Sequence, residues 1–209
     1  MAARELGLFP LGTVLVPGEL MPLHIFEERY KDLVADCMEH EQAFVLLYAD
    51  DDGARELGTT ARVAEVLERF DDGRLNIVVE GGEVVRVTEL TRGRSYMTGL
   101  VEAAEDDPAA GDEAGSALGL YRQIAEATGA KPDPALDEPA GPVSYAIAAR
   151  VEFPTAEKQR ILELRCERDR LMAIIELLAR GLQSLTIAGE IQKRAQTNGR
   201  LPKPGEPIA

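Results

Sequence analysis

Tryptophan is absent from this chain, and aromatic residues make up only 5% of its 209 residues. With 45% of the residues hydrophobic, a core must be filled mainly by aliphatic side chains. A chain of this length removes roughly 70% of its unfolded surface from water, so a real core is within reach. Histidine is nearly missing too: His24 and His40 are the only two, which leaves few general bases for catalysis. The Gly-x4-Gly-Lys-Ser/Thr phosphate loop, the Gly-x-Ser-x-Gly elbow and His-Glu-x-x-His do not occur. Two cysteines, Cys37 and Cys166, make no disulfide framework and read as reduced, packed thiols in helices. No basic segment followed by an apolar run opens the chain, and no stretch approaches the roughly 18–20 apolar residues of a membrane span. These absences set the expectation of a cytoplasmic, non-catalytic protein with no cofactor and no metal.

Positive charge is also scarce, and unevenly so. Residues 1–110 hold 10 Lys/Arg against 23 Asp/Glu, whereas residues 111–209 hold 13 against 14. An acidic half repels phosphate, so nucleic acid and anionic membrane are poor partners for it.

The residues present divide the chain in two. Residues 4–25 read as short strands broken by Pro10, Gly12, Pro17, Gly18 and Pro22. Phe26, Tyr30, Leu33, Val34, Cys37 and Met38 then follow helical spacing, with Glu27, Glu28, Asp32 and Asp36 opposite. Residues 43–49 form a short apolar run, a buried strand ended by the turn Asp50-Asp51-Asp52-Gly53. Strand-like segments follow near 59–69, 74–80, 83–90 and 95–103, and Asp72-Gly73 and Gly81-Gly82 read as hairpin turns at two of the junctions. Many short strands with one helix predict a small, partly closed barrel. Residues 105–113 are charged and carry no large apolar side chain, which marks a boundary. The remainder is helical, interrupted by a proline-rich loop at 130–142 and restarted by a short helix at 143–151. Thr155 is the expected N-cap of the next helix, with Lys158 where a capping-box Glu would stand. Leu171, Ile174, Ile175, Leu178, Leu182 and Leu185 form the apolar stripe of a long closing helix.

Few residues suggest chemistry. Cys37 and His40 are three apart beside Asp36, but a thiol on the apolar stripe and a histidine at a helix C-terminus explain both structurally. His24 lies at a strand-to-helix junction, where a ring nitrogen bonded to the backbone is expected. The run Asp50–Asp52 lacks the alternating ligands and distal Glu of a calcium loop and reads as a solvated turn. The candidate binding segment is Val16, Pro17, Gly18, Leu20 and Met21, which places apolar side chains on a Pro/Gly-broken loop. Such a loop either plugs the barrel end or presents an apolar contact surface.

Leu8-Phe9-Pro10-Leu11-Gly12-Thr13-Val14-Leu15, then Pro17-Gly18, then Pro22-Leu23-His24-Ile25-Phe26-Glu27 with Arg29-Tyr30, closely resembles the N-terminal domain of Lon proteases, and within them the stand-alone Lon-N-domain-like proteins. Leu57-Gly58-Thr59 with Ala61 and Val63, Asp72-Gly73-Arg74 with Asn76 to Gly81, Tyr96, Ala156 to Glu163 and Arg170-Leu171 resemble later blocks in the right order. The resemblance covers roughly residues 5–187 and departs at Glu83-Val84-Val85, where the family often carries a basic residue followed by an aromatic. It implies an α+β fold: an N-terminal PUA-like β-pseudobarrel with one helix (1–104) followed by a C-terminal α-helical bundle (114–197); composition adds an acidic linker (105–113) between them and a disordered tail (198–209) carrying Pro202, Pro204 and Pro207. It also implies binding of unfolded or exposed apolar polypeptide segments without hydrolysis, since the ATPase and Ser–Lys protease domains of full Lon proteases lie beyond these 209 residues. An adaptor presenting clients to a separate protease or chaperone is a second reading. RNA binding, known among PUA-like barrels, is a third and is opposed by the acidic charge.

Overall fold

The computed structural model describes residues 3–107 and 113–198, with side chains as far as Ile191. Thus part of the expected linker, and the expected tail from residue 199 on, lie outside the described residues. The chain is α+β. Six strands, β1 (Arg4–Leu11), β2 (Leu20–Ile25), β3 (Phe44–Asp50), β4 (Gly53–Arg69), β5 (Leu75–Thr91) and β6 (Thr98–Ala103), form one sheet with the helix α1 (Glu28–Glu39) between β2 and β3. Four helices follow: α2 (Glu113–Thr128), α3 (Val143–Ala148), α4 (Thr155–Glu163) and α5 (Glu167–Asn198), with a short 3-10 turn at Pro134–Leu136.

The strand order is β2-β5-β4-β3-β1-β6, and β6 pairs again with β5, so five strands close into a ring and β2 is added outside it. Two of those strands are long. The segments expected as separate strands near 74–80 and 83–90 are one 17-residue strand, β5, and the preceding one is also 17 residues long. Register shifts along their pairing, between Thr59 and Ala61, Val63 and Glu65, and Val66 and Glu68, let the pair bend around the barrel. One edge of β5 is paired with β4; the other takes β2 along Leu75–Glu80 and β6 along Val85–Thr91. The β1–β3 pair is parallel, which demands a crossover, and α1 supplies it.

Gly81-Gly82 is therefore not a hairpin turn. The two glycines lie inside β5 because other groups come too close for a side chain. A Cβ on Gly81 would sit 2.1 Å from the Val16 carbonyl oxygen, and one on Gly82 would sit 2.6 Å from Thr60 Oγ1. Asp72-Gly73 does turn the β4–β5 hairpin, with Gly73 at φ 81. The acidic run forms the β3–β4 turn, where Asp50 accepts from the Asp52 amide and from Arg55.

Aliphatic packing fills the barrel as the composition requires. Leu15, Ile25, Leu33, Val34, Leu46, Ile77 and Val79 are buried with Phe9, Tyr30 and Phe44. Phe26 departs from the expected helix face: it precedes α1 and is 60% exposed. Val14, Val16, Leu57 and Val84 of the β-rich half are buried in the same cluster as Tyr121, Leu136, Tyr145, Ile161, Leu171, Ile174 and Leu178 of the helices. The two halves thus share apolar packing.

Two further expectations are corrected by the helical half. Thr155 is the first helical residue rather than the cap; Pro154 stands at the cap position, its carbonyl accepting from Glu157 and Lys158. Cys166 lies in the short connection between α4 and α5, not in a helix. In addition, within Glu167–Ile191 an 18-residue window of mean hydropathy 1.5 is long and apolar enough to cross a membrane by length and composition alone, which amends the expectation that no segment approaches this length. In the fold, Leu171, Ile174 and Leu178 of this helix are buried in the core, while Met172, Leu185, Ile187 and Ile191 are exposed.

Replacing Gly81 with Ala forces a Cβ against backbone and is expected to cost about 2–3 kcal/mol, lowering Tm by roughly 5–10 °C. Gly119→Ala on α2, where a Cβ meets nothing within 4 Å, is expected to hold or slightly raise Tm. Calorimetry of the two variants checks the pair.

Candidate functional site

The segment Val16-Pro17-Gly18-Glu19 is a turn whose chemistry can be read atom by atom. The Glu19 amide donates to the Val16 carbonyl at 3.1 Å, and Gly18 has φ 75, the arrangement of a type II turn with Pro at its second position and Gly at its third. Gly18 N–H donates to Gly81 O at 2.8 Å, and Gly81 N–H donates to Glu19 O at 2.9 Å. Two residues of one strand therefore face one of the other, a glycine-type β-bulge, and β2 begins from it. The close approach of Val16 to Gly81 follows from this geometry.

Glu19 ties the turn to the helices. Its Oε2 accepts from the Val16 amide at 3.0 Å, and its Oε1 accepts from Lys158 Nζ on α4 at 2.6 Å. Both side chains are largely buried, 13% and 11% exposed. The barrel side of the turn is fixed as well, since Thr59 Oγ1 donates to the Leu15 carbonyl at 2.6 Å in a buried position.

Five residues singled out in the sequence consequently meet different fates. Val16 is fully buried in the packing shared by the two halves, so it is core rather than contact surface. Met21 is half-buried against the barrel core. Leu20 is 63% exposed. Pro17 and Gly18 form one wall of a cleft of about 450 Å³. Glu80 lies on the same wall, and Ala135, Glu138, Pro139, Ala140, Gly141, Pro142, Tyr145, Ala146 and Arg150 complete the lining. The proline-rich loop, read from the sequence only as a break, thus supplies the opposite wall.

That wall is held by its own polar contacts. Asp133 caps the 3-10 turn by accepting from the Ala135 amide at 2.9 Å and pairs with Arg150 Nε at 2.5 Å. The bond from Arg150, followed by that from the Ala135 amide, holds the Asp133 carboxyl below its usual range. Tyr145 lies under the Arg170 guanidinium, 4.4 Å from ring centroid to Cζ. Arg170 is fully buried; it meets Asp106 with Nη1 at 2.9 Å and Nη2 at 2.5 Å, Glu167 at 2.9 Å and Ser144 Oγ at 2.9 Å. Arg165 pairs with the same Asp106 at 2.6 Å. A segment expected as a plain acidic linker therefore contains the anchor that fastens the end of β6 to the α4–α5 junction.

Cys37, His40 and His24, weighed for chemistry in the sequence, each hold a packing or hydrogen-bonding place in the fold. Burial, with the Asp36 charge adding, pushes the Cys37 thiol up to about 11, far from a nucleophilic thiolate. His40 Nδ1 bonds the Asp36 carbonyl at 2.9 Å rather than Cys37. Asp36 itself accepts from Tyr96 OH at 2.6 Å and from Arg94 at 2.8 Å. His24 does not bond the backbone as expected: its Nδ1 lies 2.6 Å from Asn76 Oδ1, and Asn76 Nδ2 donates to Glu68 at 3.0 Å. Glu68 can only accept, which turns the Asn76 amide nitrogen toward it and its oxygen toward His24, so Nδ1 carries the proton.

The fold and these blocks agree with what comparison finds. The profile of the ATP-dependent protease La (LON) substrate-binding domain matches residues 5–180. This chain belongs to that family. It is 29% identical over 207 residues to Lon protease 2 of Myxococcus xanthus, covering 90% of this chain and 25% of that protein. It is 24% identical over 212 residues to Lon protease of Escherichia coli strain K12, covering 92% of this chain and 27% of that protein. The chain thus spans about a quarter of the length of these relatives. Among solved structures it is similar to a Lon N-terminal domain protein from Xanthomonas campestris, at 27% identity and a TM-score of 0.63 over 84% of this chain and 98% of that one. The N-terminal domain of Mycobacterium avium complex Lon protease shares the fold, with a TM-score of 0.67 at 13% identity, again over 84% of this chain and 98% of that one.

Two measurements check the site's framework. Lys158→Met leaves the Glu19 carboxylate buried without its cation and is expected to cost about 3 kcal/mol; a cycle with Glu19→Gln should return a coupling of about 1–3 kcal/mol. Thiol labelling at neutral pH should modify Cys166 and spare Cys37 until the protein is unfolded.

Proposed function

We propose that this chain is a non-catalytic module that binds unfolded or exposed apolar segments of other polypeptides in the cytoplasm. Membership of a family described as a substrate-binding domain supports a Lon-like substrate-recognition role. One observation carries the finer reading: an exposed leucine, Leu20, stands beside a cleft walled by Pro17, Gly18, Pro139 and Ala140, on a turn held rigid by Glu19. A cleft of about 450 Å³ accommodates a few apolar side chains. Binding to a preformed wall loses little ordering entropy in the protein, which suits weak capture of varied sequences. The acidic character of the surrounding half favours segments that carry basic residues near their apolar ones. The same site would serve an adaptor handing clients to a separate protease or chaperone.

Fluorescently labelled peptides from a digested, unfolded globular protein test this reading. Micromolar binding by a subset rich in apolar residues is expected, and no binding up to high micromolar concentration contradicts it. Ala146→Lys, which projects a long cationic side chain from α3 into the cleft, should weaken binding about tenfold with little change in Tm. Val16→Ala should instead lower stability by about 2 kcal/mol, because Val16 is core.

A further inference from the structure

The outer edge of β2 is the least explained feature of the barrel. β2 pairs with β5 through Leu20↔Glu80, Met21↔Val79, Pro22↔Val78, Leu23↔Ile77, His24↔Asn76 and Ile25↔Leu75, and among the described residues no strand pairs with its other side. The phase of the ladder is fixed by the bond from Gly81 N–H to Glu19 O. Alternation along an antiparallel pair then makes Met21, Leu23 and Ile25 the residues bonded to β5. The backbone groups of Leu20, Pro22 and His24 point away from the sheet, offering three carbonyls and, since proline lacks an N–H, two amides.

The side chains along this edge also invite a neighbour. Met21, Leu23 and Ile25 turn inward, while Leu20, Pro22 and His24 are exposed on the outer face. Phe26, 60% exposed, extends the stripe, its ring centroid 5.9 Å from that of His24; Phe70 closes it at 6.1 Å. Natural sheets guard free edges with lysines, inward charges or bulges along the strand. Proline is a further guard, and Pro22 is the one β2 carries between Leu20 and Ile25; its other exposed residues there are Leu20 and His24.

Behind the stripe, the cross-strand rows are Leu20–Glu80–Arg62, Pro22–Val78–Glu65 and His24–Asn76–Glu68. Along these rows three carboxylates face one cation, Arg62, while Arg74, paired with Asp72, stacks on Phe70 at the far end, so the rows are acidic like the barrel half as a whole. At its Leu20 end the edge runs into the cleft, since Gly18 and Glu80 line that cleft.

We infer that β2 accepts an added strand: an extended polypeptide segment of alternating apolar residues flanked by Lys or Arg, bonded through the main chain to Leu20, Pro22 and His24. The inference rests on the polypeptide-binding reading above and specifies how the segment is held. Main-chain bonds give affinity without sequence demands, while the Leu20–Phe26 stripe selects apolar side chains and the carboxylates select their basic flanks.

The probe is a dodecapeptide of alternating Val and Thr bracketed by Lys-Lys, with two N-methylated versions, one blocking each alternate set of amides. On binding the parent peptide, amide hydrogen exchange at Leu20 and His24 should slow by about tenfold or more. One N-methylated set should bind at least tenfold more weakly and the other nearly as well as the parent. Leu20→Pro, which removes an outward amide, should weaken binding more than Leu20→Ala. A Glu-bracketed peptide should bind more weakly, and the difference should shrink with added salt. If peptides bind but both methylated sets match the parent and Leu20 and His24 gain no protection, the edge-pairing inference fails while the polypeptide-binding reading stands. If neither this peptide nor those from the unfolded protein bind, both fail. Protection at Leu20 and His24 that rises with protein concentration in the absence of peptide assigns the edge to a second copy of this chain and overturns the inference.

Discussion

The Glu19 carboxylate is the constraint on which the site depends. With one oxygen it satisfies the Val16 amide and with the other it receives Lys158 from a helix 139 positions away. A carboxylate this well buried is tolerable only when both oxygens are engaged. The turn therefore has one shape, Gly18 takes up its positive φ, and Gly81 must remain bare where the Val16 carbonyl crosses it. From that single shape follow the start of β2, the exposure of Leu20 and the position of the cleft's barrel wall.

Asp106 performs the matching task on the far side. Two arginines, Arg165 and the fully buried Arg170, converge on it, and Arg170 also lies over Tyr145, a lining residue of the cleft. A partly buried ion cluster of this kind contributes less to net stability than to fixing one arrangement of the groups around it. Here it fixes how the strand leaving the barrel meets the junction of α4 and α5. The cleft thus lies between walls that are each tied down by charge pairing and share apolar packing, a rigid frame suited to holding a flexible partner.

Much of the fold was legible because it is written in local pattern. The helical spacing of Tyr30, Leu33, Val34 and Cys37, the apolar run at 43–49, the Asp72-Gly73 turn and the stripe from Leu171 to Leu178 all correspond to elements seen. What local pattern missed depends on distant neighbours. Gly81-Gly82 looks like a turn, yet it marks close approach by Val16 and Thr60, and both situations select glycine. Val16 stood on a loop that could either plug the barrel end or be presented, and it packs with the helices in the shared core. Lys158 stood where a capping-box Glu would be, and His24 was expected to bond the backbone; their partners, Glu19 and Asn76, lie 139 and 52 positions away. The site was half visible: Pro17, Gly18 and Leu20 were named from the sequence, whereas Glu80, Tyr145 and the proline-rich wall emerge only once the chain is folded.

The proposed role needs a surface that is apolar enough to hold unfolded chains and fixed enough not to collapse on itself. The turn, the cleft and the edge of β2 are the features on which that proposal rests. The most direct measurement is an amide chemical-shift map of the isotopically labelled protein during titration with apolar peptides from an unfolded protein. The account predicts perturbations concentrated at Gly18, Leu20, Glu80, Tyr145 and Ala146. Perturbations confined to the β1–β6 side or to the end of α5, or none at all, would contradict it.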